Sequence, residues 1–327
     1  MSCPALGATL GGMKAIVYER YGQARLADVD RPAAGDSSLL VRVRAASVNP
    51  LDWHYLTGTP YFMRPSTGLR RPRDRRLGVD YAGIVEAVGP DVTGFVPGDE
   101  VFGSRTGAFA EYVSVSATGV VVPKPDAISF EEAAAAPVAA VTALQGLRSV
   151  RPGHRVLIIG AGGGVGTYAV QIAAARGAIV TGVCSTGNVD LVRSLGAKQV
   201  IDYTVASSFG TGFDLVLDNV GTLPFPDRLR MLGPSGRLIA VSGPKSGRVL
   251  GPLLSMMRIT AAARIRHAPA EVLMTKMTAA DLGAVADLLA AGTITSVVDR
   301  RLPLAQAPEA LRYIGTGHAR GKVVLTP

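Results

Sequence analysis

Residues 155–176 constrain the fold of this chain more than any other stretch. Val156 to Ile159 is an unbroken apolar run, the pattern of a parallel strand buried on both faces. Gly160, Gly162, Gly163, Gly164 and Gly166 follow within seven positions. Val165, Ala169, Ile172 and Ala173 then repeat at helical spacing. A strand, a glycine turn and a helix in that order bring backbone N–H groups and the positive end of a helix dipole to one point, with no Cβ in the way. That arrangement suits the diphosphate of a dinucleotide. A lone glycine fingerprint is weak, whereas the flanking strand and helix make this one specific. The run reads Ala161-x-Gly163-x-x-Gly166, with Ala where the strict fingerprint has its first glycine. A tight turn between packed elements is the plainer alternative.

Strand and helix patterns alternate around this turn. Helix is expected from Ser129-Phe-Glu-Glu, where a cap residue precedes two carboxylates, and again over 165–176, 188–195, 281–291 and 309–313. Strands are expected at 156–159, 178–184, 199–201, 213–218 and 237–242. Such alternation predicts a doubly wound parallel sheet with its ligand at the carboxyl ends of the strands. The earlier part of the chain reads differently. Strands at 13–18, 39–46, 81–89, 99–103 and 108–113 are separated by Gly and Pro turns, as in a compact β-barrel-like domain. Val297-Val-Asp and Lys322-Val-Val-Leu are expected to return to it.

Length and composition fit this division. At 327 residues the chain exceeds one ordinary core, and 48% hydrophobic with 18% charged residues is the composition of a folded chain. Its richest apolar run, Ala133 to Leu144, is short and interrupted, so no membrane partner is expected. Two cysteines and an N-terminus without a basic-then-apolar pattern point to a reducing cytoplasm. Cys184 reads as a small buried hydrophobe. The net charge is +9, and residues 64–76 hold six arginines against one Asp. No zinc-finger or helix–turn–helix spacing accompanies them, which argues against nucleic acid. A basic loop near an anionic cofactor and a merely solvated loop both remain open.

The ordered segments Val48-Asn-Pro-Leu-Asp52, Gly78-Val-Asp-Tyr-Ala-Gly83, Val96-Pro-Gly-Asp-Glu-Val-Phe102 and Gly107-Ala-Phe-Ala-Glu-Tyr-Val113 carry a resemblance. It continues through Pro137-Val-Ala-Ala-Val-Thr-Ala-Leu144, Gly160–Gly166, Asp218-Asn-Val-Gly221 and Gly321-Lys-Val-Val324. In this order they resemble the medium-chain dehydrogenase/reductase superfamily, and within it the zinc-independent quinone oxidoreductase (zeta-crystallin-like) branch. The resemblance implies an α/β chain built of a Rossmann doubly wound parallel sheet and a GroES-like β-barrel catalytic domain. The expected division is an N-terminal extension over 1–12, the catalytic domain over 13–136, the coenzyme domain over 137–274, and a return to the catalytic domain over 275–327. It also implies hydride transfer from NADPH to a quinone or conjugated carbonyl, commonly by a homodimer.

Metal is not expected. A catalytic zinc needs three converging ligands, and the four histidines, His54, His154, His267 and His318, pair at no such spacing. Where similar zinc enzymes carry Gly-His-Glu, this chain has Gly78-Val79-Asp80.

For the coenzyme, Gly163, Gly164, Val165 and Gly166 are the candidate diphosphate cradle. An NAD-preferring site places a carboxylate about 20 residues after the turn. Here Ser185, Thr186 and Asn188 stand instead, all able to donate hydrogen bonds, so NADPH is favoured. Capping of the next helix is an equal reading for Ser185 and Thr186. By resemblance, Tyr203 flanks the adenosine ribose or its phosphate and Thr142 lies against nicotinamide. Asn219, Val220 and Ser242, at or just beyond sheet-strand ends, sit where a coenzyme crosses. Arg193 and Lys322 are candidates to supply the charge that relatives place near 186–189. Hydride transfer without zinc asks for a donor to the developing oxyanion. Asn49, His54 and Tyr55 are the candidates: Asn49 to hold nicotinamide or carbonyl, Tyr55 to donate, His54 to titrate near neutrality. Turn capping and packing are the alternatives for this segment. An enoyl-type reductase of a biosynthetic pathway, or a non-catalytic NADPH-binding or RNA-binding protein, are the competing functional readings.

Overall fold

The computed structural model describes residues 11–241, 257 and 269–327. Two sheets organise them. The six-stranded sheet contains β8 (Arg155–Ile159), β9 (Ile179–Cys184), β10 (Gln199–Asp202), β11 (Phe213–Asp218), β12 (Leu232–Ala240) and β13 (Ala270–Val272). Their spatial order is β10-β9-β8-β11-β12-β13, and every pairing is parallel. The order therefore reverses between β8 and β11, and a crevice opens at their carboxyl ends.

The seven-stranded sheet is built from β3 (Ser38–Val48), β4 (Asp80–Val88), β5 (Glu100–Ser104), β6 (Tyr112–Ser116), β7 (Val121–Pro123), β14 (Val298–Pro303) and β15 (Lys322–Thr326). Its path runs β14-β15-β3-β4-β5-β7, with β6 also on β3. β15, made last, pairs antiparallel with β3 and parallel with β14. A separate hairpin joins β1 (Gly12–Arg20) to β2 (Gln23–Asp30).

The two sheets share a seam of small residues. Ala133 to Ala136 are wholly buried in α3 (Phe130–Ala135) and at the start of α4 (Pro137–Gly146). They join one apolar cluster with Ala45, Ala82 and Phe102 of the seven-stranded sheet and Val156, Ile158 and Leu215 of the six-stranded one. Alanine suits this seam because it permits close approach at no side-chain entropy cost. α3 starts as the sequence predicts: Ser129 Oγ accepts from Glu132 N at 3.2 Å while the Glu132 carboxylate accepts from Ser129 N at 2.8 Å.

Two strand expectations need correction. The 108–113 run divides between partners, since Phe109 O accepts from Ile16 N at 2.8 Å and only Tyr112–Ser116 ladders onto β3. β12 begins at Leu232, not Arg237, because Gly233-Pro-Ser-Gly236 forms an irregularity inside the strand instead of a turn before it. The segments 1–10 and 242–256, with Ser242, lie outside the described residues, as does His267.

Candidate active site and coenzyme cradle

The turn after β8 is shaped by steric exclusion. Gly160 has φ +80°, a left-handed conformation that makes the chain double back. A Cβ on Gly166 would stand 2.1 Å from the Gly160 carbonyl oxygen, so helix α5 (Gly164–Ala175) packs on the strand only with glycine there. The first glycine role therefore falls to Gly160, one residue before Ala161. The sequence fingerprint placed Ala in that role; the backbone corrects it. α5 has Gly163 as its cap residue, with no side-chain cap. Its first intrahelical bond runs from Thr167 N to Gly163 O at 2.9 Å. The N–H groups of Gly164, Val165 and Gly166 are thus left without intrahelical carbonyls, as an anion site requires.

Asn219 and Val220 follow β11 across the crevice. Asp218 holds their turn: one carboxylate oxygen accepts from Val220 N at 3.0 Å and Gly221 N at 2.9 Å. The other accepts from Arg228 of α7 (Phe225–Arg230) at 3.0 Å, in an ion pair shielded from solvent. Asn219 Nδ2 donates to Ile159 O at 3.1 Å, while its buried Oδ1 has no partner among the described residues. An orphaned acceptor at the switch point asks for a ligand donor. Asp218 and Arg228 were missed in the sequence because only the fold brings residues ten apart into a buried pair.

Beyond β9 the remaining coenzyme candidates converge. Asn188 Nδ2 donates to Ser185 Oγ at 3.2 Å, and its side chain lies against Gly162. Tyr203 N donates to Cys184 O at 3.1 Å, and the residue is 48% exposed. Thr186 and Thr204 hydroxyls stand 3.0 Å apart. Asp202, at the end of β10, accepts from Thr204 N at 2.9 Å, and hydrogen bonds from the Thr186 and Thr204 hydroxyls hold its carboxyl below the usual range. This carboxylate was not anticipated; its signal was its place at a strand end next to Tyr203. Arg193 pairs with Asp190 instead, at 3.0 Å.

Lys322 does not reach this group. It is 3% exposed, and its stem lies 3.0 Å from where a Gly164 Cβ would be. Its Nζ donates to Asn49 Oδ1 at 2.6 Å and stands 4.0 Å from Asp80. Burial lowers its pKa, against the opposing pull of Asp80 and Asp52. Asn49, 2% exposed, is spent on the same cluster: Nδ2 donates to Asp80 Oδ2 at 2.9 Å and to Ser47 O at 3.4 Å. Its Nδ2 is thus spent within the protein, and its Oδ1 already accepts from Lys322. Asp80 also accepts from Val138 N at 3.3 Å, near the start of α4. Burial is the main force pushing Asp80 up to about 6 and Asp52 up to about 8. Asp52, in α1 (Pro50–Thr57), caps that helix by accepting from Asn49 N at 2.8 Å.

The other candidates are placed as follows. His54 Nδ1 donates to Thr59 O at 2.8 Å. Tyr55 is half-buried against the catalytic-domain core, and burial raises its pKa, with Asp52 adding to the effect. Thr142 is buried in α4, where its hydroxyl donates to Val138 O at 2.7 Å and meets Thr275 Oγ1 at 2.9 Å. Among the described residues no three His, Cys, Asp or Glu side chains converge as a metal site.

Comparison with known proteins matches this architecture. Residues 35–126 fit the alcohol dehydrogenase GroES-like domain, and residues 195–325 fit a family described as zinc-binding dehydrogenase. A chloroplastic quinone-oxidoreductase, QR1 of Triphysaria versicolor, is 32% identical over 96% of this chain and 98% of its own length. The chain belongs to the medium-chain dehydrogenase/reductase superfamily. Among solved structures of this superfamily, the quinone oxidoreductase of Coxiella burnetii superposes with a TM-score of 0.84 at 28% identity, over 97% of this chain and 100% of that one. Mycobacterial Rv1454c, solved in complex with NADPH, superposes with a TM-score of 0.79 at 30% identity, over 96% and 100%. Like its superfamily relatives, the chain is an NAD(P)H-dependent oxidoreductase. No helix among the described residues is long and apolar enough to cross a membrane.

Proposed function

We propose that the protein is an NADPH-dependent, zinc-independent reductase of quinones or α,β-unsaturated ketones and aldehydes. The observation that carries this reading is the uncapped N-terminus of α5, facing the β8–β11 switch point together with the orphaned Asn219 Oδ1. When bound, the coenzyme supplies the hydride at nicotinamide C4. The N–H groups of Gly164, Val165 and Gly166 would hold its diphosphate, and Asn219 Oδ1 would accept from a hydroxyl or amide N–H of the coenzyme. Ser185, Asn188 and Tyr203 donate to the adenosine ribose or its 2′-phosphate, while the Thr186 hydroxyl, whose proton goes to Asp202, offers its oxygen as an acceptor to a ribose hydroxyl. Asp202 is an anion in that group, and among the described residues no Arg or Lys pairs with it, so preference for NADPH over NADH is modest. Tyr55 is the donor for the developing oxyanion: its raised pKa keeps the phenol protonated through the physiological range. Asn49 is a positioning residue that ties Lys322 to Asp80.

Zinc independence is supported by the donor set, in which Val79 precedes Asp80 and the cation nearest Asp80 is Lys322. A homodimer in the cytoplasm remains part of the reading, drawn from the resemblance and from cysteine content. The deciding experiment mixes purified protein with NADPH or NADH and a panel of quinones and enones, following coenzyme oxidation. Turnover is expected with both coenzymes, with NADPH favoured by less than about 100-fold, or 3 kcal/mol. Absence of oxidation across the whole panel overturns the proposal.

A further inference from the structure

Residues 61–76 leave helix α1 as a compact loop on the outer side of the catalytic domain. Arg64 anchors it, donating from Nε to Gly58 O at 3.0 Å, with its guanidinium over the rings of Tyr21 at 4.5 Å and Tyr61 at 4.2 Å. Gly68 N donates to Arg64 O at 2.7 Å, Arg73 N donates to Thr67 O at 2.8 Å, and the Tyr21 hydroxyl donates to Gly68 O. The loop is therefore folded. It exposes Leu69, 69% accessible, and Phe62, 39% accessible, together with Arg70, Arg71, Arg73 and Arg75. Asp74, its one acid, pairs with Arg76 at 3.4 Å. Among the described residues no carboxylate pairs with Arg70, Arg71, Arg73 or Arg75.

A single exposed leucine is ordinary. Exposed apolar side chains among arginines without carboxylate partners in one short folded loop are not; that mixture suits the boundary between lipid headgroups and acyl chains. We propose that this loop docks on an anionic lipid bilayer, with Leu69 and Phe62 entering the acyl boundary and Arg70, Arg71, Arg73 and Arg75 meeting lipid phosphates. The net charge of +9 adds longer-range attraction to the same surface. A single-stranded nucleic acid fits less well. Arg64 already lies over the Tyr61 ring, and aliphatic Leu69 offers bases no stacking platform. The sequence gives no reason to expect a membrane-spanning segment, and this contact needs none. It also stands apart from the coenzyme chemistry and survives a failure of that reading.

The test is flotation of the full chain with vesicles of phosphatidylcholine alone or with one third phosphatidylglycerol, at low and high salt. Binding to the anionic vesicles, released by salt, is expected. Replacing Arg70, Arg71 and Arg73 together by Gln should weaken it by about fivefold per residue, or about 100-fold in all. Leu69→Ser with Phe62→Ser should weaken it by about tenfold or more. Unchanged melting temperature and NADPH affinity show that the variants are folded. The proposal is overturned by equal binding to both vesicle types, by anionic binding that the arginine changes leave intact, or by loss of self-association as the only effect of the Leu69 and Phe62 changes. Capture of single-stranded RNA without vesicle binding overturns it equally.

Discussion

At the scale of single residues, the cluster around Asn49 sets how the protein responds to pH. Asp52 is fully buried, and burial pushes its pKa up to about 8 against an ordinary value of 3.8. A carboxyl raised in this way favours folding while protonated. Its contribution is complete below pH about 4 and is lost as pH climbs through 8. The Asp52→Asn variant keeps an acceptor for Asn49 N but cannot ionise. Its stability in urea should match wild type within about 1 kcal/mol near pH 5 and exceed it by on the order of 3 kcal/mol near pH 9. Parallel pH profiles for the two proteins would exclude this account. None of this was visible in the sequence, where Asn49 read as a contact to nicotinamide or carbonyl and its segment otherwise as turn capping and packing. The involvement of Asn49 and Asp52 with Lys322, 270 residues downstream of Asp52, depends on β15 lying beside β3.

Among elements, the turn after β11 depends on a charge pair that the solvent does not reach. Arg228 and Asp218 are 3% and 1% exposed, and Asp218 fixes the backbone that presents Asn219 and Val220. Removing one partner strands the other charge, which costs about 3–5 kcal/mol. Arg228→Ala should therefore lower the unfolding free energy by about that amount and weaken NADPH binding measured by calorimetry. A variant of unchanged stability would show that Asp218 finds another partner. Element identity was legible wherever periodicity was long: β8, α5, β9 and β11 fall within a residue or two of their expected ranges. Short strands with turn residues were not. β2 and β7 carry too few apolar positions to stand out, and the Gly-Pro-Ser-Gly run within β12 imitates a turn.

Across the whole molecule, the two sheets meet at the glycine turn after β8. Gly321 N donates to Gly162 O at 2.9 Å, so the entry to β15 is bonded to the glycine turn itself. Gly321 has φ +82°, and a Cβ there would stand 2.3 Å from Val297 O. Gly321→Ala should cost about 1–3 kcal/mol of stability and weaken coenzyme affinity as well. Undiminished affinity in a folded variant would show that the two sheets do not communicate through this bond. The strand–helix alternation and the final Lys322–Leu325 run made the overall plan readable, including the return of the chain to its first sheet. The contact between that return and the diphosphate turn was hidden, because no local pattern encodes a junction between distant backbones.

The position of β15 between β14 and β3 also bears on how the molecule is made. β3 has β4 and β6 as neighbours soon after its synthesis, but its partner toward β14 does not exist until residue 326 has been added. A nascent chain thus carries an unfilled slot in its first sheet while the entire nucleotide-binding half is being translated. Open strand edges of this kind recruit foreign strands, and contacts of such long sequence separation form slowly. Newly made chains should accordingly depend on chaperone shelter during this interval, well before any coenzyme is encountered.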